Sequence, residues 1–296
     1  MLKKSNILAL VGGGKFPKYS KNKIVIYDDH QGLIIRQIRF NLNVTYVKIK
    51  TNSIIGFIED KIYIFNINSL ETIDIIDIDK IDSPIFGISN IINNCLVIAF
   101  PQFQKKGKIQ IEQYLILSKS HKKQDTKIID AHESDITFIS INNEGTLLAS
   151  SSIKGHFIKI FNISNGDLLV ELKKGKRSKV TWISFELKSD IIGYINDVGK
   201  VYIYDINEIK KEIKNNEKDN NEEENSNKIH ETHRKKGKKP FAKFKINEKR
   251  NIIGFIQSKS FVILSFEGKF YKVSYNVGIG NKCTKCDKIE ECFLKI

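Results

Sequence analysis

Residues 136–162 read ITFISINNEGTLLASSSIKGHFIKIFN, and this stretch contains the pattern that decides the fold. Three runs rich in β-branched and aromatic residues, ITFISI, LLASSS and FIKIFN, are separated by short segments that contain Asn, Gly and Lys. Such runs, bounded by turn residues, are typical of β-strands joined in antiparallel hairpins. The stretch therefore predicts a small antiparallel sheet.

The same pattern recurs along the whole chain, and no amphipathic helical pattern of comparable length competes with it. Predicted strands end in an aromatic residue followed by Asp or Asn at Tyr27, Phe65, Phe161 and Tyr204. These positions fit a period of about 40 to 45 residues, the length of a four-stranded propeller blade, which buries its faces only against neighbouring blades. The sequence therefore predicts an all-β fold, a β-propeller of four-stranded blades similar to WD repeats, with about twenty-two strands or roughly five and a half blades.

The predicted domain organisation is a single propeller over residues 1–296 that is incomplete at its N-terminal end. Residues 207–239 interrupt the strand pattern, because they contain almost no apolar residue after Ile213 and change from acidic to basic. A segment that can bury so little apolar surface is expected to be a flexible charged insertion within the propeller. Its basic end, residues 233–239, is predicted to be either a solvated tether or a membrane-facing patch.

Composition favours a globular protein with an anionic partner. The 296 residues are 41% hydrophobic, and 49 Lys and Arg against 34 Asp and Glu give a net charge of +15. This charge suits nucleic acid, phospholipid head groups or an acidic protein, and does not choose among them. The apolar run at residues 7–11 is too short for a signal peptide, and no run reaches membrane-spanning length. The sequence predicts a soluble chain in a reducing cytosol.

Enzyme and metal motifs are not found in the sequence. The chain has no GxSxG, HExxH, P-loop or dinucleotide fingerprint, so a non-catalytic protein without a cofactor is predicted. Cys283 and Cys286 form a CxxC pair with Cys292 nearby, but no fourth Cys or His follows to complete a tetrahedral zinc site. A loop followed by a last strand is the preferred interpretation, with no metal.

Four stretches carry a resemblance to a known family. They are NILALVGGGKFPKYSKNKIVIYDD (residues 6–29), LVIAFPQFQKKGKIQI (96–111), the stretch from AHES to the end of the opening quotation (131–162), and LLVELKKGKRSKVTWISF (168–185). In order and spacing they closely resemble the PROPPINs, WIPI-type seven-bladed propellers that bind polyphosphoinositides in autophagy. Family members begin about one blade and a strand earlier, so the resemblance implies that this chain lacks most of the first blade, either because the sequence is truncated or because the ring closes differently.

The resemblance implies a phosphoinositide site around residues 171–180, ELKKGKRSKV. The family signature Phe/Leu-Arg-Arg-Gly corresponds here to Leu172, Lys173, Lys174 and Gly175. Adjacent strand residues point to opposite faces, so two adjacent cations can serve two pockets. The first pocket is expected to use Lys173, His132, Ser150, Ser152 and Lys159. Gly175 is expected at a turn, with Lys176, Arg177 and Lys179 at the rim. Without the family, His132 would be interpreted as an ordinary packing histidine of a blade.

The second pocket is expected to use Lys174 together with Asn196, Lys200 and Tyr202. Asp197 is unfavourable next to a phosphate unless it points away, so the alternative at this position is a merely solvated edge. The family also carries an apolar membrane-inserting loop in the blade that holds the long insertion, whereas the insertion here is charged. Membrane binding is therefore expected to be electrostatic and sensitive to salt, at about 1 kcal/mol per basic residue near an anionic leaflet.

The resemblance implies a phosphoinositide-binding propeller that reads phosphatidylinositol 3-phosphate or 3,5-bisphosphate. The protein is expected to be cytoplasmic, peripherally associated with autophagic, endosomal or vacuolar membranes, and to recruit an autophagy lipid-transfer protein or conjugation partner. Nucleic acid is not an expected partner, since no RNA- or DNA-binding motif is present. The alternative is a propeller scaffold for protein interactions whose lipid sites have decayed.

Overall fold

A computed structural model describes residues 6–50, 52–80, 84–90, 92–116, 121–124, 126–174, 178–207, 235–247, 251–255, 260–265, 268–275 and 286–293. The described residues form 25 β-strands, somewhat more than the number predicted, because short strands such as Gly87–Ile88 and His121–Lys123 were not recognised from sequence. The chain divides into two compact units, residues 1–128 and residues 129–296.

The first unit contains three sheets of consecutive antiparallel strands. One sheet is formed by β1 (Ile7–Leu10), β2 (Lys23–Asp28) and β3 (Leu33–Arg39). The next contains β4 (Val44–Lys50), β5 (Ser53–Ile58), β6 (Lys61–Asn66) and β7 (Thr72–Asp77). The third contains β8 (Gly87–Ile88), β9 (Cys95–Pro101), β10 (Lys108–Ile116) and β11 (His121–Lys123). Strand β12 (Lys127–Asp130) lies across the boundary of the two units.

The second unit also contains three sheets. The first is β13 (Ile136–Ile141), β14 (Leu147–Ser152), β15 (Phe157–Asn162) and β16 (Leu168–Lys173), to which β20 (Lys235–Lys238) adds at the β16 edge. The second is β17 (Val180–Phe185), β18 (Ile191–Asn196), β19 (Lys200–Asp205) and β21 (Ala242–Lys245). The third is β22 (Asn251–Phe255), β23 (Ser260–Ser265), β24 (Lys269–Tyr275) and β25 (Cys286–Phe293).

The Asp and Asn residues that mark the sequence period make the same turn in four sheets. In each, a side-chain oxygen accepts a hydrogen bond from the backbone N–H two residues later. The N···O distance is 2.9 Å for Asp28, 2.8 Å for Asn66, 2.9 Å for Asn162 and 2.9 Å for Asp205. Because such an Asx turn ends the strand and reverses the chain, the repeated aromatic–Asp/Asn pair marks the same step in successive sheets.

Alternation along the strands builds the apolar core of each unit. In the second unit, Ala149, Ile160 and Val170 are cross-strand partners on one face of the β13–β16 sheet, and all three are buried. Their cluster includes Tyr194 and Tyr204 of the β17–β19 sheet, two of the largest fully buried side chains. Burying an aliphatic side chain of this kind stabilises the fold by about 1.5 to 3 kcal/mol. These sheets therefore pack against each other as neighbouring propeller blades do.

Part of the predicted insertion is ordered. Residues 208–234 lie outside the described residues, so their predicted flexibility stays a prediction. Lys235–Lys238, which was predicted to belong to the flexible segment, is instead strand β20 and pairs in parallel with β16, with Val170 opposite Lys235 and Leu172 opposite Lys238. The physical reason is the edge of β16, whose outward backbone groups can pair with any extended segment whatever its side chains.

The C-terminal part of the chain ends in a strand. The predicted last strand is confirmed, since Cys286–Phe293 forms β25, while Cys283 lies outside the described residues. Within the part of the chain that the structure describes, no helix has the length and apolarity needed to cross a membrane.

Candidate functional site

A polar row crosses one face of the β13–β16 sheet, opposite the apolar core. Ser150 on β14 lies directly opposite Lys159 on β15, and Lys159 lies directly opposite Glu171 on β16. Cross-strand partners share a face of the sheet and their side chains are neighbours. The strand register therefore brings together two of the residues predicted from sequence, Ser150 and Lys159, and adds a carboxylate.

His132 joins this row from the segment that precedes β13. Its Nε2 atom lies 2.9 Å from the Oγ atom of Ser150. Burial, together with the positive charges of Lys159 and Lys174, lowers the pKa of His132 from 6.5 to about 4, although the hydrogen bond with Ser150 acts in the opposite direction. At neutral pH the imidazole is thus uncharged and retains one N–H donor. His132 therefore interacts with Ser150 by a hydrogen bond and with Lys159 and Lys174 through their charges, which places all four residues in one site.

Ser152 and Gly155 close the site at the end of the β14–β15 hairpin. The backbone N–H of Gly155 donates to Ser152 Oγ at 3.2 Å. A Cβ atom on Gly155 would lie 2.5 Å from Ser152 Oγ, so a larger residue here would force the Ser152 hydroxyl to move. Gly155 was not singled out from the sequence, and the only signal for it was a glycine within the hairpin segment SIKGHF.

Lys173 and Lys174 have different environments. Lys173 ends β16 with an exposed side chain, and its carbonyl accepts a hydrogen bond from Tyr204 Oη at 2.8 Å. Lys174 is only 7% exposed, and its Nζ donates to the carbonyl of Ser152 at 3.2 Å. Burial lowers the pKa of Lys174, and the carboxylate of Asp197 partly opposes this shift. Lys174, predicted for the second pocket, therefore also contacts the residues of the first.

Glu171 was not singled out from sequence, although it stands directly before the LKKG motif. It is 8% exposed, and its Oε1 atom lies 4.0 Å from Lys159 Nζ. Its Oε2 atom is buried and has no hydrogen-bond partner among the described residues. A buried carboxylate oxygen without a donor is costly, so this atom needs an explanation. Only the strand register, which the sequence does not give, places it beside Lys159.

The residues predicted for a second pocket lie around the β18–β19 hairpin, and two of them are structural. Asn196 is 1% exposed, and its Oδ1 accepts hydrogen bonds from the N–H groups of Val198 at 3.2 Å and Lys200 at 2.8 Å. Tyr202 is buried and stacks on Tyr194, with ring centroids 4.8 Å apart. Asn196 thus holds the turn and Tyr202 packs in the core, and their predicted contact with a head group stays a prediction.

Three lysines on β19 and β21 form a basic group beside these residues. Lys200 lies directly opposite Lys245, and Lys243 lies opposite Tyr202 with its Nζ 5.4 Å from the ring centroid. Like charges directly opposite each other destabilise a sheet, and an anion bound between them relieves the repulsion. Lys243 and Lys245 were missed from sequence because they follow the long insertion, and only the register shows their partners.

Three predicted site residues, Gly175, Lys176 and Arg177, lie outside the described residues. Elsewhere in the described part of the chain, no group of three or more His, Cys, Asp or Glu side chains is arranged to hold a metal ion.

Comparison with known proteins identifies the family. The sequence model named PROPPIN matches residues 8–223 of this chain. The chain belongs to the PROPPIN family. Among curated relatives, SVP1-like protein 2 of Schizosaccharomyces pombe is 30% identical over 176 residues, which cover 59% of this chain and 46% of the relative. Autophagy-related protein 18e of Arabidopsis thaliana is 25% identical over 206 residues, which cover 69% of this chain and 53% of the relative. The chain thus spans about half the length of these PROPPIN relatives.

Solved structures confirm the predicted β-propeller fold. Hsv2 of Kluyveromyces lactis matches with a TM-score of 0.73 at 16% identity, covering 98% of this chain and 84% of Hsv2. Hsv2 of Kluyveromyces marxianus matches with a TM-score of 0.71 at 18% identity, covering 98% of this chain and 83% of Hsv2. KlAtg21, solved in complex with the coiled coil of AgAtg16, has a TM-score of 0.71 at 17% identity, with coverage of 98% and 83%. At these identities the structures establish the PROPPIN fold alone.

Proposed function

We propose that this PROPPIN is a non-catalytic reader of phosphatidylinositol 3-phosphate or 3,5-bisphosphate on membranes. The observation that carries the proposal is the convergence of His132, Ser150, Lys159 and the buried Lys174 on one site. Among the described residues, the Lys174 ammonium donates a hydrogen bond to the backbone carbonyl of Ser152. Burying a cation is costly unless an anionic group lies in contact with it. An anionic ligand offsets that cost.

Each group of the site suits a phosphate. The hydrogen-bonded pair of Ser150 and the neutral His132 has one proton left to donate to a phosphate, from either Ser150 Oγ or His132 Nδ1 depending on the tautomer, and the ammonium groups of Lys159 and Lys174 add charge-assisted hydrogen bonds. A hydrogen bond to a charged group is worth about 1.5 to 3 kcal/mol. Lysine offers a point charge instead of the two-pronged donor of arginine, so we expect weaker orientation of the phosphate than in relatives with two arginines.

A second anion contact is proposed at the basic group of Lys200, Lys243 and Lys245. The paired cations of Lys200 and Lys245 favour an anion between them, and the buried Nδ2 of Asn196 has no hydrogen-bond partner among the described residues. A bound phosphate would supply both a counter-charge and an acceptor. The competing interpretation of this edge is a solvated basic surface.

The proposed location and partners follow from the lipid. A PROPPIN that binds these lipids is expected to be peripheral on autophagic, endosomal or vacuolar membranes. Strand β20, whose sequence is KKGK, pairs with β16, and we expect this basic segment to add electrostatic attraction to an anionic leaflet. The complex of KlAtg21 with a coiled coil supports a protein partner for this chain, and we propose an autophagy lipid-transfer or conjugation protein.

Vesicle co-sedimentation at physiological salt tests the proposal. Vesicles contain phosphatidylinositol, its 3-phosphate, its 4-phosphate or its 3,5-bisphosphate, and wild type is compared with Lys173→Ala/Lys174→Ala. Selective binding to 3-phosphorylated lipids that the double substitution abolishes is the expected result. The matched control is Lys105→Ala/Lys106→Ala, which removes an adjacent exposed pair that also precedes a glycine. Binding that depends only on total lipid charge and persists in Lys173→Ala/Lys174→Ala would refute the proposed lipid reader. The alternative, a propeller scaffold for protein interactions, would then be favoured.

A further inference from the structure

The buried carboxylate of Glu171 is the feature that the phosphate site does not explain. A phosphate site gains nothing from a negative charge, yet Glu171 lies in the same row as Lys159 and Ser150. Its Oε1 atom is 4.0 Å from Lys159 Nζ, and the buried Oε2 atom has no donor among the described residues. The register partner of Glu171 on β20 is Lys236, whose side chain is not among those described. An acceptor left without a partner in a binding site indicates a ligand that brings a hydrogen-bond donor.

An inositol head group carries such a donor next to each phosphate. Neighbouring carbons of the ring bear either a phosphate or a free hydroxyl group. A phosphate held by Lys159 places the substituent of the adjacent carbon near Glu171, the cross-strand partner of Lys159. A hydroxyl group there donates to the carboxylate, whereas a second phosphate meets a like charge in a buried site.

We propose that Glu171 determines the specificity of the site, by accepting a hydrogen bond from the free hydroxyl group adjacent to the bound 3-phosphate. The inference rests on the proposed function and names its ligand class: head groups with a 3-phosphate and an unphosphorylated 4-hydroxyl. The free hydroxyl group is assigned to the 4-position of the inositol ring from the depth of Glu171 in the site. Glu171 lies two residues further into the sheet than the exposed Lys173, and the 4-carbon lies across the ring from the 1-phosphate that leads to the membrane.

Two lipids of equal charge test the assignment. Phosphatidylinositol 3,5-bisphosphate leaves the 4-hydroxyl free, whereas the 3,4-bisphosphate does not. Wild-type protein is expected to bind vesicles of the 3,5-bisphosphate at least ~10-fold more tightly than vesicles of the 3,4-bisphosphate, because a site built for a hydroxyl group rejects its replacement. In Glu171→Gln the ratio is expected to fall to about threefold or less, since the like charge is removed.

Controls separate Glu171 from general effects of charge and folding. Glu133→Gln removes the same charge from an exposed position beside His132 and should keep the wild-type ratio. Should Glu171→Gln not fold, wild-type protein is titrated with soluble inositol 1,3-bisphosphate and its 4-deoxy analogue. The analogue lacks the proposed donor and is expected to bind roughly 10-fold more weakly, because it leaves the carboxylate unsatisfied.

The outcomes distinguish this inference from the proposed function. Equal binding of the two bisphosphates by a wild type that still selects 3-phosphorylated lipids would overturn the role of Glu171 alone. A uniform gain in affinity of Glu171→Gln for every phosphoinositide would also overturn it, and would mean that Glu171 only neutralises Lys159. Wild-type binding that does not select 3-phosphorylated lipids would instead refute the proposed function itself.

Discussion

At the scale of the residue, His132 shows how the site is prepared before a ligand arrives. Its imidazole is buried beside the cations of Lys159 and Lys174, so the neutral form is favoured and its pKa falls to about 4. A neutral ring limits the positive charge that the folded chain must hold in one place. The same group also makes the stability of the protein depend on pH.

Stability is expected to fall as the pH decreases from 6.5 toward 4. The pKa of His132 is about 4 in the folded state and 6.5 in the unfolded state, so the unfolded chain binds the proton first. The stabilising contribution is fully present above pH 6.5, and up to about 3 kcal/mol is lost by pH 4. Urea unfolding at pH 7.5 and at pH 5 measures the change in the free energy of unfolding. His132→Gln is expected to lose less stability than wild type over this interval, and an equal loss would contradict the assignment.

Residue identities in the site were only partly predictable. His132, Ser150, Ser152 and Lys159 were predicted because they stand in stretches that resemble the PROPPINs. Glu171 was not, because an acceptor is recognised as unpaired only after its neighbours are placed. The cross-strand pair of Lys200 and Lys245 has the same limitation, since the 208–234 segment separates the two strands in sequence.

At the scale of the element, the Asx turns explain why a short sequence signal identified the repeat. An aromatic residue precedes each Asp or Asn at the end of a strand, and the Asp or Asn oxygen accepts the hydrogen bond that starts the turn. This step depends only on residues close in sequence, so it could be predicted. The parallel pairing of β20 with β16 joins residues about 65 positions apart, and no local pattern indicates it.

Asn162→Ala is expected to destabilise the protein by about 1 kcal/mol, the typical contribution of a hydrogen bond. The Oδ1 atom of Asn162 accepts from the backbone N–H and from the Oγ of Ser164, both at 2.9 Å. Chemical denaturation measures the change. Asn162→Asp keeps the acceptor and serves as the control, which should retain most of the stability. An equal loss of stability in the two variants would show that the Asn162 amide group, and not the turn hydrogen bond, stabilises the protein.

At the scale of the whole molecule, the net charge of +15 attracts any polyanion, so specific and general binding must be separated. Soluble inositol 1,3-bisphosphate is expected to displace the protein from vesicles containing phosphatidylinositol 3-phosphate. Bulk RNA at equal total phosphate should displace it much less at physiological salt, because general attraction is screened and a pocket is not. Co-sedimentation with each competitor measures this, with sulfate at matched ionic strength as the control. Equal displacement by both competitors would show a non-specific polycation.

Polar residues of the site alternate with core residues along three strands of the β13–β16 sheet. Ser150, Lys159 and Glu171 lie on one face, while Ala149, Ile160 and Val170 on the same three strands lie in the core. A substitution in the polar row therefore changes what the sheet can bind without changing the apolar residues that hold it in place. During evolution, such a sheet can acquire a new head-group preference, or lose one, through single codon changes that leave the fold intact.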